Sequence, residues 1–157
     1  MFRLFFIICV LVLVSPFISG ANNDQAEFCK INKKYIDLSR KTTKELKLQL
    51  YKRKRKKELS NINYDFSNWN GKIEAIEGVG DEYAYVSISI CKNVTIKTWN
   101  NEFSDMFDKS LIHIDSELYE RIIDLEKGNS VITSGSFTKS DTDYFQETSI
   151  TDCGSLT

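Results

Sequence analysis

Tyr83-Ala-Tyr-Val-Ser-Ile-Ser-Ile90 alternates without a break. Ala84, Val86, Ile88 and Ile90 fall on one side of an extended chain, and Tyr83, Tyr85, Ser87 and Ser89 on the other. A period of two with β-branched residues on one face is the pattern of a half-buried strand. Upstream, residues 69–77 read Trp-Asn-Gly-Lys-Ile-Glu-Ala-Ile-Glu, an earlier strand anchored by Trp69, Ile73 and Ile76. Gly71 inside it predicts a bulge or tight bend. Gly78-Val-Gly-Asp81 separates the two strands with turn chemistry. Downstream, Cys91-Lys-Asn93 is a short connection. Residues 94–99 then read as a third strand, with Val94 and Ile96 facing one way and Thr95, Lys97 and Trp99 the other.

Residues 116–128 predict a helix with both ends written in. Asp115 or Ser116 caps its start, acidic residues fill its first turn, and Gly128 supplies a left-handed stop. Leu118, Ile122 and Leu125 share its apolar face. Residues 131–137 are a fourth strand carrying Gly135, and residues 144–151 a fifth. The order β-β-β-α-β-β, with its helix between the third and fourth strands, is the wiring of the OB-fold. The expected fold class is therefore mainly β, a five-stranded OB-fold barrel preceded by a long basic N-terminal helix. Val86, Ile88, Ile96, Leu125, Val131 and Phe137 are its expected core.

Particular phrases carry a family resemblance. Trp69-Asn-Gly-Lys-Ile73 opens the first strand, and Leu125-Glu-Lys-Gly-Asn-Ser-Val131 precedes Ser134-Gly-Ser-Phe137. Over residues 69–151 the chain resembles OB-fold proteins of the tRNA-anticodon-binding-like type, a group of bacterial secreted proteins and lipoproteins. The shared residues are turn and packing residues, so the resemblance implies a fold and not an activity.

Residues 1–21 read as a secretory signal. Arg3 is the charged part, residues 4–14 form an apolar run, and Ser19-Gly-Ala21 offers a cleavage site. The run is short of the ~20 residues that span a bilayer. Cleavage after Ala21 is expected, placing the protein outside the cell or in a periplasm. The division is then 1–21 signal, 22–62 basic amphipathic helical segment and 63–157 barrel. The mature chain keeps Cys29, Cys91 and Cys153, which allow three different single disulfides and leave one thiol over.

In the helical segment, Asp24 and Glu27 suit a capping box. Phe28, Ile31, Tyr35 and Leu38 form an apolar stripe that Leu46 and Leu50 continue. Residues 39–43 lower helix propensity and are where the segment divides if it is two helices. Residues 30–57 hold thirteen basic residues against Asp37 and Glu45, a net of +11. Six of the thirteen are consecutive: Lys52, Arg53, Lys54, Arg55, Lys56 and Lys57. Residues 61–157 carry a net of −10, so the overall charge of −1 conceals a polarised molecule. Such a basic run is a solvated helix end, or a surface for nucleic acid, an anionic membrane or acidic protein, this chain's own barrel included.

Little in the chain points to catalysis. His113 is the sole histidine, and no nucleophile elbow, phosphate loop or zinc-ligand set is present. No catalytic residue, metal or cofactor is expected. Asp105 with Asp108, and Asp141 with Asp143, are spaced as turn residues commonly are. OB-folds bind through the faces of their second and third strands and through the loops beside them. Here Tyr83, Tyr85, Lys97 and Trp99 are the candidate ligand-binding face. Glu77, Asp81 and Glu82 rim one loop and Asp141 and Asp143 the other. Carboxylates there oppose phosphate. The expectation is a non-enzymatic secreted module that binds a protein or other ligand through its barrel face. Nucleic-acid binding through the basic helix and the aromatics is the alternative, and self-association of basic helix with acidic barrel a further possibility.

Overall fold

A computed structural model describes residues 4–13, 23–140 and 144–148. In chain order the elements are β1 (Leu4–Leu13), α1 (Asn23–Ser39), α2 (Glu45–Leu59), β2 (Asp65–Val79), β3 (Tyr83–Cys91), β4 (Val94–Lys97), α3 (Glu102–Asp105), β5 (Ile112–His113), α4 (Glu117–Ile122), β6 (Ser130–Phe137) and β7 (Glu147–Thr148). The fold is mixed α/β rather than mainly β. The long strand β2 pairs antiparallel with β6 through its first half and with β3 through its second. The other edge of β3 carries β4 and the two-residue β5, both antiparallel. These five strands form an antiparallel sheet that does not close on itself. β1 runs parallel to β4, Leu4 opposite Val94 through Ile7 opposite Lys97, and antiparallel to β6, Ile8 opposite Phe137 through Leu13 opposite Ile132.

That arrangement corrects the expected barrel in one place. Of the fifth strand expected over residues 144–151, the described part holds β7, which pairs with Phe5 and Phe6 of β1 rather than with β6, and residues 149–151 lie outside the described residues. The edges it was to join are held by β1, a far more apolar segment. The other strands sit close to expectation. The alternation over residues 83–90 holds, with Ala84, Val86, Ile88 and Ile90 buried. β2 begins at Asp65, earlier than expected, and β4 stops at Lys97. Gly71 is not a bulge. The bulges lie between Phe66 and Trp69, where Asn68 has φ +56°, and between Ile73 and Ala75. A Cβ on Gly71 would instead overlap Ile88 Cγ2 and lie 3.1 Å from the Ser89 carbonyl oxygen. Glycine there lets β2 cross close over β3.

The long helix is two. Residues 40–44 break it, and α2 returns against α1, where Lys34 and Tyr35 both donate to Glu58 Oε1, at 2.6 and 2.7 Å. α1 covers the sheet. Phe28 is fully buried, stacked on Phe137 at 5.3 Å between ring centroids and tilted against Trp69 at 5.1 Å. Ile31, Tyr35 and Ile36 are buried with it, so helix and sheet share one core. Gln25 fastens the start of α1 to two strands: its amide nitrogen donates to the carbonyls of Asn70 and Ile90, and its oxygen accepts from Asn70 N–H. A disulfide joins Cys29 to Cys91, selecting one of the three pairings that the sequence left open. Cys153 lies outside the described residues. The expected stripe fails on α2: Leu46 and Leu50 are exposed, and the helix buries only Arg55 and Leu59. Of the six expected core residues five are buried, and Leu125 is half-buried.

Candidate functional site

Directly opposed residues of an antiparallel pair project to the same side. Ser87 lies opposite Ala75 on β2 and Lys97 on β4, and Tyr85 lies opposite Glu77. Tyr83 and Tyr85 alternate with Ser87 along β3, so Tyr83, Tyr85, Glu77 and Lys97 share the face turned away from Val86 and Ile88. The tyrosines are half-buried and Glu77 is exposed. Burial raises the Tyr85 hydroxyl pKa, and the charges of Glu77 and Glu74 add to the effect. Glu74, the extra residue of the second bulge, accepts a 3.0 Å hydrogen bond from Thr95 Oγ1 on the same face. Lys97 is only 8% exposed, and that burial pulls its ammonium pKa below the ordinary lysine value. Tyr83 stands edge-on to His113 across β5, centroids 5.3 Å apart.

Trp99 does not belong to this face. It lies beyond the end of β4, where its backbone N–H donates to Ser110 Oγ at 2.9 Å and its indole N–H to Asp108 Oδ2 at 2.6 Å. Thr98 ends the strand by exchanging hydrogen bonds with Val86, through its own backbone N–H and through its hydroxyl oxygen. Asp105 accepts from the N–H and the hydroxyl of Ser110 and from the N–H of Leu111. Asp105 and Asp108 thus tie the loop that follows β4.

The same loop presents what the sequence reasoning overlooked. Phe103 and Phe107 are 84% and 89% exposed, with Met106 beside them in the chain. Their spacing of four is visible in the sequence. Interleaved acidic residues made the segment read as a turn.

The rim residues divide as well. Asp81 and Glu82 are exposed in the turn after β2, where Gly80 has φ +58°, whereas Glu77 lies on the strand and not in the loop. Asp141 and Asp143 lie outside the described residues. Nor is the basic run a uniform patch. Lys52, Arg53, Lys54 and Lys57 are exposed, Lys56 is half-buried, and Arg55 is buried with its guanidinium paired to Glu147 of β7. His113 accepts a 3.2 Å hydrogen bond from the Asp115 N–H at Nδ1. Among the described residues no three His, Cys, Asp or Glu side chains converge as a metal site. Comparison of the chain with known protein families, with characterised proteins and with solved structures finds no match.

Proposed function

We propose that this chain is a secreted, non-enzymatic binding module with an OB-type barrel, which takes a protein ligand on the outer face of β2, β3 and β4. One observation carries the reading: Tyr83, Tyr85 and Lys97 share that face beside Glu77. Half-buried tyrosines offer large contact area at little entropic cost, and the exposed Glu77 carboxylate adds directional hydrogen bonds. The barrel reading is supported by the antiparallel ladder β6–β2–β3–β4, which supplies four of the five strands such a barrel needs. The apolar leader, with a disulfide on Cys29 and Cys91, suits an oxidising compartment. The test is capture from a periplasmic extract on immobilised protein, read by mass spectrometry. Tyr85→Ser and Glu77→Gln should each lose the captured partner. A capture profile identical to wild type for both variants would remove the face from consideration.

Nucleic-acid binding is the second reading, favoured by Lys52, Arg53, Lys54 and Lys57 standing exposed on one helix. It predicts oligonucleotide affinity that falls steeply between 50 and 200 mM salt, as phosphate neutralisation requires. Trp99, the third aromatic of that reading, lies beyond the end of β4 with its indole N–H held by Asp108, apart from the strand that carries Tyr83 and Tyr85.

A further inference from the structure

The tail of the chain enters a hairpin that it does not finish. Lys139 and Phe145 form an antiparallel bridge, and Gln146 N–H donates to the Thr138 carbonyl at 2.8 Å. These two pairs fix a register. Continued one and two residues further, it sets Glu147 opposite Phe137 and Thr148 opposite Ser136. Both positions are taken: Ile8 of β1 pairs with Phe137, and Cys9 with Ser136. The tail leaves β6 at that point, and Glu147 and Thr148 pair with Phe6 and Phe5 instead. One edge of β6 is thus claimed twice, by the leader and by the tail.

We infer that β1 is a temporary occupant. When the leader is removed, Glu147 and Thr148 move onto β6 opposite Phe137 and Ser136, in the register that Lys139–Phe145 already sets, and take the places of Ile8 and Cys9. The exchange needs no rearrangement of the hairpin's start, because the bridge and the Gln146 hydrogen bond are common to both arrangements. Backbone groups drive it: without β1, the edge of β6 that it paired with loses its strand partner. The leader-bearing and processed chains would then differ in which segment pairs with β6 there. This inference rests on the leader being cleaved, as proposed above.

Nuclear magnetic resonance on two forms tests it: the chain recovered after export, and the full chain refolded with its leader. In a non-hydrogen-bonded antiparallel pair the facing α-protons lie close together. The processed chain should give an α-proton contact between Phe137 and Glu147 and a slowly exchanging Thr148 amide. The full chain should give neither, and should show a Phe137–Ile8 contact instead. Absence of the Phe137–Glu147 contact from the processed chain, or its presence in the full chain, overturns the exchange. So does a contact that in isotope-mixed samples arises between two molecules. Intact mass separates the premise: if the exported chain still begins at Met1, the leader proposal fails, and a Phe137–Glu147 contact in that material would sink the exchange as well.

Discussion

A methyl group at residue 71 would overlap Ile88 Cγ2 and press on the Ser89 carbonyl. Backbone yields less readily than the end of a flexible side chain, so Gly71→Ala should destabilise the fold by about 1–3 kcal/mol, the usual cost of overpacking. Urea unfolding measures it; a change within about 0.5 kcal/mol, the range of ordinary surface substitutions, would mean that β2 and β3 have room to part. Lys97 makes a residue-scale prediction of opposite character. Burial lowers its pKa in the folded chain below the ordinary 10.5. Between the folded value and 10.5 the unfolded chain holds more protons, so this group's contribution to stability rises with pH across that window. Wild type should therefore gain stability relative to Lys97→Met between pH 8 and pH 10. Denaturation midpoints at the two pH values decide it, and a wild type that loses ground contradicts the sign.

At the scale of elements, α2 is joined to the sheet through an ion pair rather than an apolar stripe. Arg55 is buried against Glu147, while Arg53 two positions earlier is exposed. In the full chain, where Glu147 stands on β7, Arg55→Gln should cost about 1.5–3 kcal/mol, the range for a charged hydrogen bond, and Arg53→Gln at most about 0.5 kcal/mol. Equal midpoints for the two variants in chemical denaturation would refute the distinction. The sequence could not separate these two arginines, because a run of six cations has no period from which to read an inner face. Elements with strong periodicity were legible. β3 and the stripe of Phe28, Ile31 and Tyr35 stand where alternation and helical spacing placed them. The helix expected over residues 116–128 shrank to α4. Its cap survives, Ser116 accepting from the Tyr119 N–H, but Gly128 donates its N–H to the Ile73 carbonyl instead of ending the helix. Trp99 was misplaced because Thr98 and Ser110, which take the chain out of the sheet, look in sequence like ordinary strand and loop residues. The site is legible only in part, since Tyr83, Tyr85 and Lys97 follow from alternation while the loop after β4 depends on contacts between residues far apart on the strand ladder.

At the scale of the whole molecule, the cysteines would separate the full chain from one cleaved after Ala21, the processing proposed for it. Cys29 and Cys91 are joined, which leaves Cys153 in a chain starting at Asn22, and Cys9 in addition when the leader remains. Thiol titration of unfolded, unreduced monomer should find one free thiol after processing and two before it. Three in the processed form would mean that the disulfide does not form. The same bond has a mechanical side. It closes a ring across a separation of 62 residues that contains most of α1, all of α2 and β2, and β3 to its last residue. A pull on the N-terminus can unravel the chain only as far as Cys29 before the load passes directly to the end of β3. At about 3.5 Å per extended residue, roughly 220 Å of contour stays locked in that ring. If such a protein were tethered by its leader, tension would bypass the helical hairpin and be borne where β3 meets β4.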